Sequence, residues 1–286
     1  MQARVALLAA VAAGAAVAAL AGCGASAAAG PAAGGKQTVP TSPTSPVSPG
    51  ARPFEMNPMA LVGSWRLEEA TGEEPGAVLH LGDELTLDRR CGNLTGSWRA
   101  DTGGLFISYV YGGSQACMGS RSFEPPAWVT DSTGYRIDGA DRLLLDARGW
   151  TTARLVPAPG PTPSLSYLTK LLGPAAPVPD SLTPATQADL LGRWVPRSGT
   201  SKADTRFDAN GGFHGTDGCN GQGGRYVVGR AGAIVAVTGP QTLIGCDNVD
   251  VGSWVAGAAR IALDGPTLVL LDREGHELGR LGRTSA

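Results

Sequence analysis

Residues 216–226 read TDGCNGQGGRY: one cysteine, one aspartate, one asparagine and four glycines in eleven positions. A thiol in a glycine-rich cradle would point to chemistry, whereas a glycine-built corner would point to fold. The rest of the chain separates the two readings. Cys219 has a counterpart in Cys91, and the match runs well beyond that pair. "LVGSW" ending at Trp65 answers "LLGRW" ending at Trp194. Trp98 answers Tyr226, Cys117 answers Cys246, and "LLLDARGWTTARL" ending at Leu155 answers "VLLDREGHELGRL" ending at Leu281. Five landmarks that hold register within three residues mark an internal duplication. The expected organisation is two homologous modules, residues 59–156 and 185–283, joined by a Pro-rich linker at 157–184.

Within each module the pattern is mainly β. "AVLHLGDELTLDRRCGNLTGSW" alternates apolar and polar residues on both sides of a Gly-Asp turn, and Asn210-Gly211 occupies the equivalent turn of the second copy. "AIVAVTG" and the two halves of "TLVLLDREGHELGRL" also read as strands. "DNVDVGSWVAGAARIAL" reads as a helix with Asp247 as N-cap and Val251, Trp254, Val255, Ala258 and Ile261 on one face. The aligned stretch of the first copy, around Trp128, has a broken pattern, so its helix is expected to be short or lost. Short strands, Gly turns and a single helix predict two small antiparallel β-barrel modules, each with at most one packed helix.

The chain has 42 glycines and 21 prolines in 286 residues, nearly double the combined share of an average chain. A net charge of −2 without a clustered basic stripe gives no electrostatic case for nucleic acid. Residues 1–22 carry one early cation, Arg4, and then an uncharged Ala-rich run, which reads as an export signal. "LAGC" at Leu20–Cys23 resembles the bacterial lipobox. That resemblance implies cleavage before Cys23 and lipid on its thiol and new amino group. Residues 23–58 have almost no large apolar residues and read as a disordered, lipid-anchored tether outside the cytoplasmic membrane. In the linker, "SLSYLTKLL" reads either as plain spacer or as an arm that packs on a module.

The residues that could carry chemistry do so weakly. His214, Asp217 and Cys219 lie too close in sequence for a typical triad, and Thr86 stands where the first copy would need the histidine. Cysteine spacings of this length, with no histidine repeated between the copies, do not suit a metal site. "GCNGQGG" is neither a dinucleotide fingerprint nor a P-loop, and reads as a turn needing positive φ at several positions. Trp65 and Trp194 read as core, and Glu73 and Glu74 as solvated charge. No catalytic residue, metal ligand or cofactor is expected.

The second module resembles the META/HslJ-like domain family, on "LLGRW", "DGCNGQGGRY", "GPQTLIGC" and "LVLLD". Gly192, Trp194, Gly218, Cys219, Asn220, Tyr226, Thr242 and Cys246 fit the family pattern. The first module departs from it, with "CGN" at Cys91–Asn93 and "SQACMG" where "TLIGC" is expected. The resemblance implies a compact lipocalin-like β fold, a bacterial envelope setting with some links to stress, and no established catalytic residues. Four cysteines remain after Cys23. Of the three possible connectivities, only Cys91–Cys117 with Cys219–Cys246 treats the copies equivalently. The functional expectation is a non-enzymatic envelope lipoprotein that binds a protein or small ligand. The alternatives are a barrel holding a small apolar ligand and a purely structural envelope protein.

Overall fold

The computed structural model describes residues 56–117, 124–199, 202–242 and 244–284. The signal segment, Cys23 and most of the tether lie outside them. None of the described helices is long and apolar enough to cross a membrane.

The first module contains β1 (Gly63–Glu68), β2 (Val78–Leu81), β3 (Leu85–Arg89), β4 (Gly92–Ala100) and β5 (Phe106–Gln115). The one-turn helix α1 (Ala127–Asp131) follows, then β6 (Gly134–Asp138), β7 (Asp141–Leu145) and β8 (Thr151–Pro157). The second begins with the short β9 (Thr183–Pro184) and the single turn α2 (Gln187–Leu190). β10 (Gly192–Pro196), β11 (Asp204–Phe207), β12 (Gly212–Thr216), β13 (Gly221–Val228) and β14 (Ile234–Thr238) come next. α3 (Val251–Gly257), β15 (Arg260–Asp264), β16 (Thr267–Leu271) and β17 (Glu277–Arg283) complete it.

The duplication holds strand for strand. One antiparallel sheet runs β5-β4-β3-β2-β1-β8-β7-β6, and the other runs β14-β13-β12-β11-β10-β17-β16-β15 with β9 added at its edge. Neither sheet closes as a continuous barrel. The end strands meet through single bridges, Leu105 to Gly134 and Ala233 to Arg260, which leaves each module barrel-like.

The repeated landmarks do the same physical work in both copies. Trp65 and Trp194 are buried, and their Nε1–H groups donate to the Leu61 and Leu190 carbonyls at 2.7 and 2.6 Å. The glycines before them, Gly63 and Gly192, have φ of +150° and +110°, which side-chain-bearing residues rarely adopt. Trp98 donates to the carbonyl of Gly82 at 2.8 Å and Tyr226 to that of Asp208 at 2.9 Å, so each core aromatic anchors the equivalent hairpin turn. Burying such rings only with a partner for their polar atom follows from the cost of an unmet donor in an apolar core. Cys91 pairs with Cys117 and Cys219 with Cys246, with Cα separations of 5.0 and 6.6 Å.

Side chains fill both interiors. The first is packed by residues including Leu79, Leu87, Trp98 and Leu155, and is closed by Leu168 and Leu172 from the linker. "SLSYLTKLL" is therefore an arm, with a 3-10 turn at Leu168–Leu171. Asp83 clasps it: its carboxylate accepts from the backbone N–H groups of Ser166, Tyr167 and Leu168 at 2.8 to 3.0 Å. Those bonds, from Leu168 first, hold the Asp83 carboxyl well below the ordinary carboxylate range. The second interior is covered by Val251 and Val255 of α3.

Three expectations need correction. The N-cap of α3 is Asp250, which accepts from Ser253 N; the helix ends at Gly257, and Ile261 belongs to β15. The run is too short and too Gly-rich to continue, and the sheet claims its apolar end. In the 216–226 stretch only Gly218 has positive φ, at +112°. Gly223 and Gly224 lie in β13, where a Cβ would run into the Phe213 and Val237 carbonyls, so close strand approach is what selects glycine there. Glu73 is not solvated: it is 2% exposed and paired with Arg89 at 2.9 Å, with Trp128 Nε1–H at 3.4 Å. Glu74 is exposed, as read.

Candidate binding site between the modules

The motif residues of the second module turn inward. Asp217, Asn220 and Gln222 are each more than nine-tenths buried. Asp217 Oδ1 accepts from the backbone N–H groups of Cys219 and Asn220 at 2.8 and 2.7 Å. Its Oδ2 accepts from the side chains of Asn220 and Asn248 at 2.9 and 2.7 Å. Asn220 Oδ1 in turn accepts from Thr242 Oγ1 and Ile244 N at 2.9 and 2.6 Å, and its Nδ2 donates to the Ile244 carbonyl. Gln222 Oε1 accepts from Gly252 N at 2.9 Å, in the first turn of α3. Burial opposes ionisation of Asp217, but the bonds from Asn220, Cys219 and Asn248 outweigh it and hold the carboxyl at about 2. These residues, with the Cys219–Cys246 bridge, pin the loop between β14 and α3. They present no polar surface to a ligand.

The catalytic alternatives also resolve into structure. Cys219 is in a disulfide, and His214 is exposed and faces Asp208 at 3.1 Å. A serine–histidine–aspartate chain that sequence reading missed runs across β1, β2 and β3. Ser64 Oγ lies 2.8 Å from His80 Nδ1, and His80 Nε2 lies 3.2 Å from Asp88 Oδ2. Period-2 alternation on adjacent strands would have placed the first two on one face, since Ser64 and His80 are register partners. Gly160 of the linker lies so close over the hydroxyl that no side chain fits there, and Ser64 Oγ also reaches the Pro161 carbonyl at 3.4 Å. The hydroxyl therefore clasps the linker to the sheet. Asp272, Glu274 and His276 gather in the turn between β16 and β17, where Asp272 accepts from His276 N at 2.7 Å and so caps the turn.

What the repeat pattern could not announce is the seam between the copies. Ile107 of β5 packs with Val227 of β13 and Val235 and Val237 of β14, with Leu105 and Tyr109 against them. Arg225, the penultimate residue of the 216–226 stretch, crosses the seam. It donates to the carbonyls of Ser108 and Val129 at 2.9 and 2.5 Å and to that of Thr130. Burial lowers its pKa, and Asp131 opposes that shift.

Beside this seam lies an open groove of about 1170 Å³. One wall is Asp101–Leu105, Thr130 and the turn around Ala147; the other is the Ala209–Gly211 turn, Arg225–Arg230 and Arg260. Its volume lies somewhat above the roughly 300–1,000 Å³ of typical ligand pockets. No protein-family model, curated protein or solved structure matches the chain.

Proposed function

We propose that this chain is a non-enzymatic, lipid-anchored protein of the bacterial cell envelope. In this reading two META/HslJ-like modules form one body that binds a ligand or partner in the groove between them. The groove is the observation that carries it. It is open, and it lies where the two modules meet, a preferred place for ligand sites. The lipobox-like "LAGC" and the tether would hold that groove away from the bilayer. The filled interiors weigh against storage of an apolar ligand inside either barrel.

Two measurements test the proposal in cells. Cys23→Ala is expected to move the protein from the membrane to the soluble extracytoplasmic fraction and to abolish palmitate labelling; an unchanged distribution would rule out the anchor. Photocrosslinkers at Ala147 and Ala209, on opposite walls, are expected to give a shared adduct that a crosslinker at exposed Glu277 does not. Equal labelling from all three positions, or none, would sink the groove.

A further inference from the structure

Where the first module, the linker arm and the second module converge, a small cavity of about 30 Å³ is lined by Arg99, Arg260 and Arg273. One water needs about 10–15 Å³ on this measure, so the space exceeds a single water and suits one small ion. The three arginines come from β4, the start of β15 and the turn after β16, so only the assembled body brings them together.

Their hydrogen-bonding capacity is not spent. Arg273 donates to the Leu171 carbonyl, and Arg260 donates to the Ala175 and Ala259 carbonyls at 3.4 and 3.3 Å. Arg99 stacks over the Tyr167 ring at 5.4 Å. The Nε–H of each is buried and has no acceptor. Among the described residues none of the three makes an ion pair within 4.0 Å. Among the described residues, the only acid lining the cavity is Asp101, whose Oδ1 is already engaged by Gly103 N and Leu105 N at 2.9 and 2.8 Å. Three guanidinium ions around one carboxylate leave positive charge in excess. The three arginines are partly buried, and holding excess charge partly out of water costs free energy.

We propose that this cavity is an oxyanion site, taking inorganic phosphate or the terminal phosphate of a larger molecule, with Arg99, Arg260 and Arg273 as its ligands. The planar guanidinium fork matches an oxyanion edge, and all three arginines line the cavity. Asp101, Thr102 and Arg260 line both this cavity and the open groove. A phosphomonoester could therefore seat its phosphate in the cavity and lay its remainder in the groove. Burial depresses the pKa of Arg99 and Arg273, and Asp101 partly offsets this for Arg273. An anion at the centre would remove that penalty.

Only the part of the inference that concerns a larger ligand rests on the groove. The test is a thermal melt of the full chain in detergent at fixed ionic strength, with chloride exchanged for phosphate or for glycerol phosphate. Phosphate is expected to raise Tm saturably. Arg99→Met is expected to weaken that response at least tenfold, beyond any drop of Tm in chloride from losing the Tyr167 contact. A purely structural arginine would lower Tm in chloride and leave the phosphate response of the variant unchanged. An equal or stronger response to glycerol phosphate assigns a ligand that extends into the groove; a response to phosphate alone assigns a free-ion site. A flat or unsaturable response of the parent chain overturns the site, as does a response that Arg99→Met and Arg273→Lys both retain. Crosslinking at Ala147 and Ala209 tests the groove separately, so either idea can fail alone.

Discussion

Asp217 shows what one residue of the 216–226 stretch does. It holds two backbone N–H groups and two side-chain amides at once, in a buried corner. Asp217→Ala would strand those donors and is expected to cost about 2–4 kcal/mol in denaturant unfolding. Asp217→Asn keeps the shape and loses the charge. The folded carboxyl sits at about 2, below its ordinary value of 3.8. The charge therefore contributes fully above pH 4 and fades as pH falls through about 2. Urea midpoints of parent and Asp217→Asn should differ at pH 5 and converge toward pH 2. A gap that persists at pH 2 would show that the charge is not what matters. Glycine-rich composition and the cysteine repeated between the copies mark this corner, but the sequence does not say whether Asp217, Asn220 and Gln222 look outward. Only packing against the loop after β14 turned them inward.

Among the elements, the linker arm is the one whose sequence left two readings open. Composition alone allows either a spacer or a packed arm, and the arm forms because Leu168 and Leu172 close the first interior and Asp83 grips the backbone around them. Asp83→Ala is expected to speed amide exchange at Ser166–Leu168 and to open the arm to proteases, with little change in the exchange of β2 and β3. Protection unchanged at Ser166–Leu168 would mean that apolar docking alone holds the arm. The strands themselves were legible, because alternation with Gly-Asp and Asn-Gly turns is a local signal. The helices were less so. The N-cap of α3 is Asp250 rather than Asp247, since the preceding residues are committed to the loop that Asp217 and the disulfide pin. Glu73 carried no pattern in the sequence, and its burial follows from Arg89 and Trp128 arriving from distant segments.

For the whole molecule, the decisive feature is the seam. Ile107, Val227, Val235 and Val237 form an apolar patch that two independent modules would leave exposed, and Arg225 bolts across it. The modules are expected to unfold in one calorimetric transition. Val237→Asp, which places a carboxylate in that patch, should split it into two. A single unchanged transition in the variant would show that the seam does not couple the modules. Repeat spacing alone was enough to determine that the chain is duplicated, mainly β and able to pair its cysteines within each copy. These properties depend on local periodicity and on residues that recur at fixed separation. The inward turn of the motif polar groups, the docked arm, the groove and the arginine-lined cavity were decided only by tertiary structure. The inward turn depends on the loop after β14 and on α3 of the same copy, the others on residues from both copies or from the linker, and no local pattern records such long-range contacts.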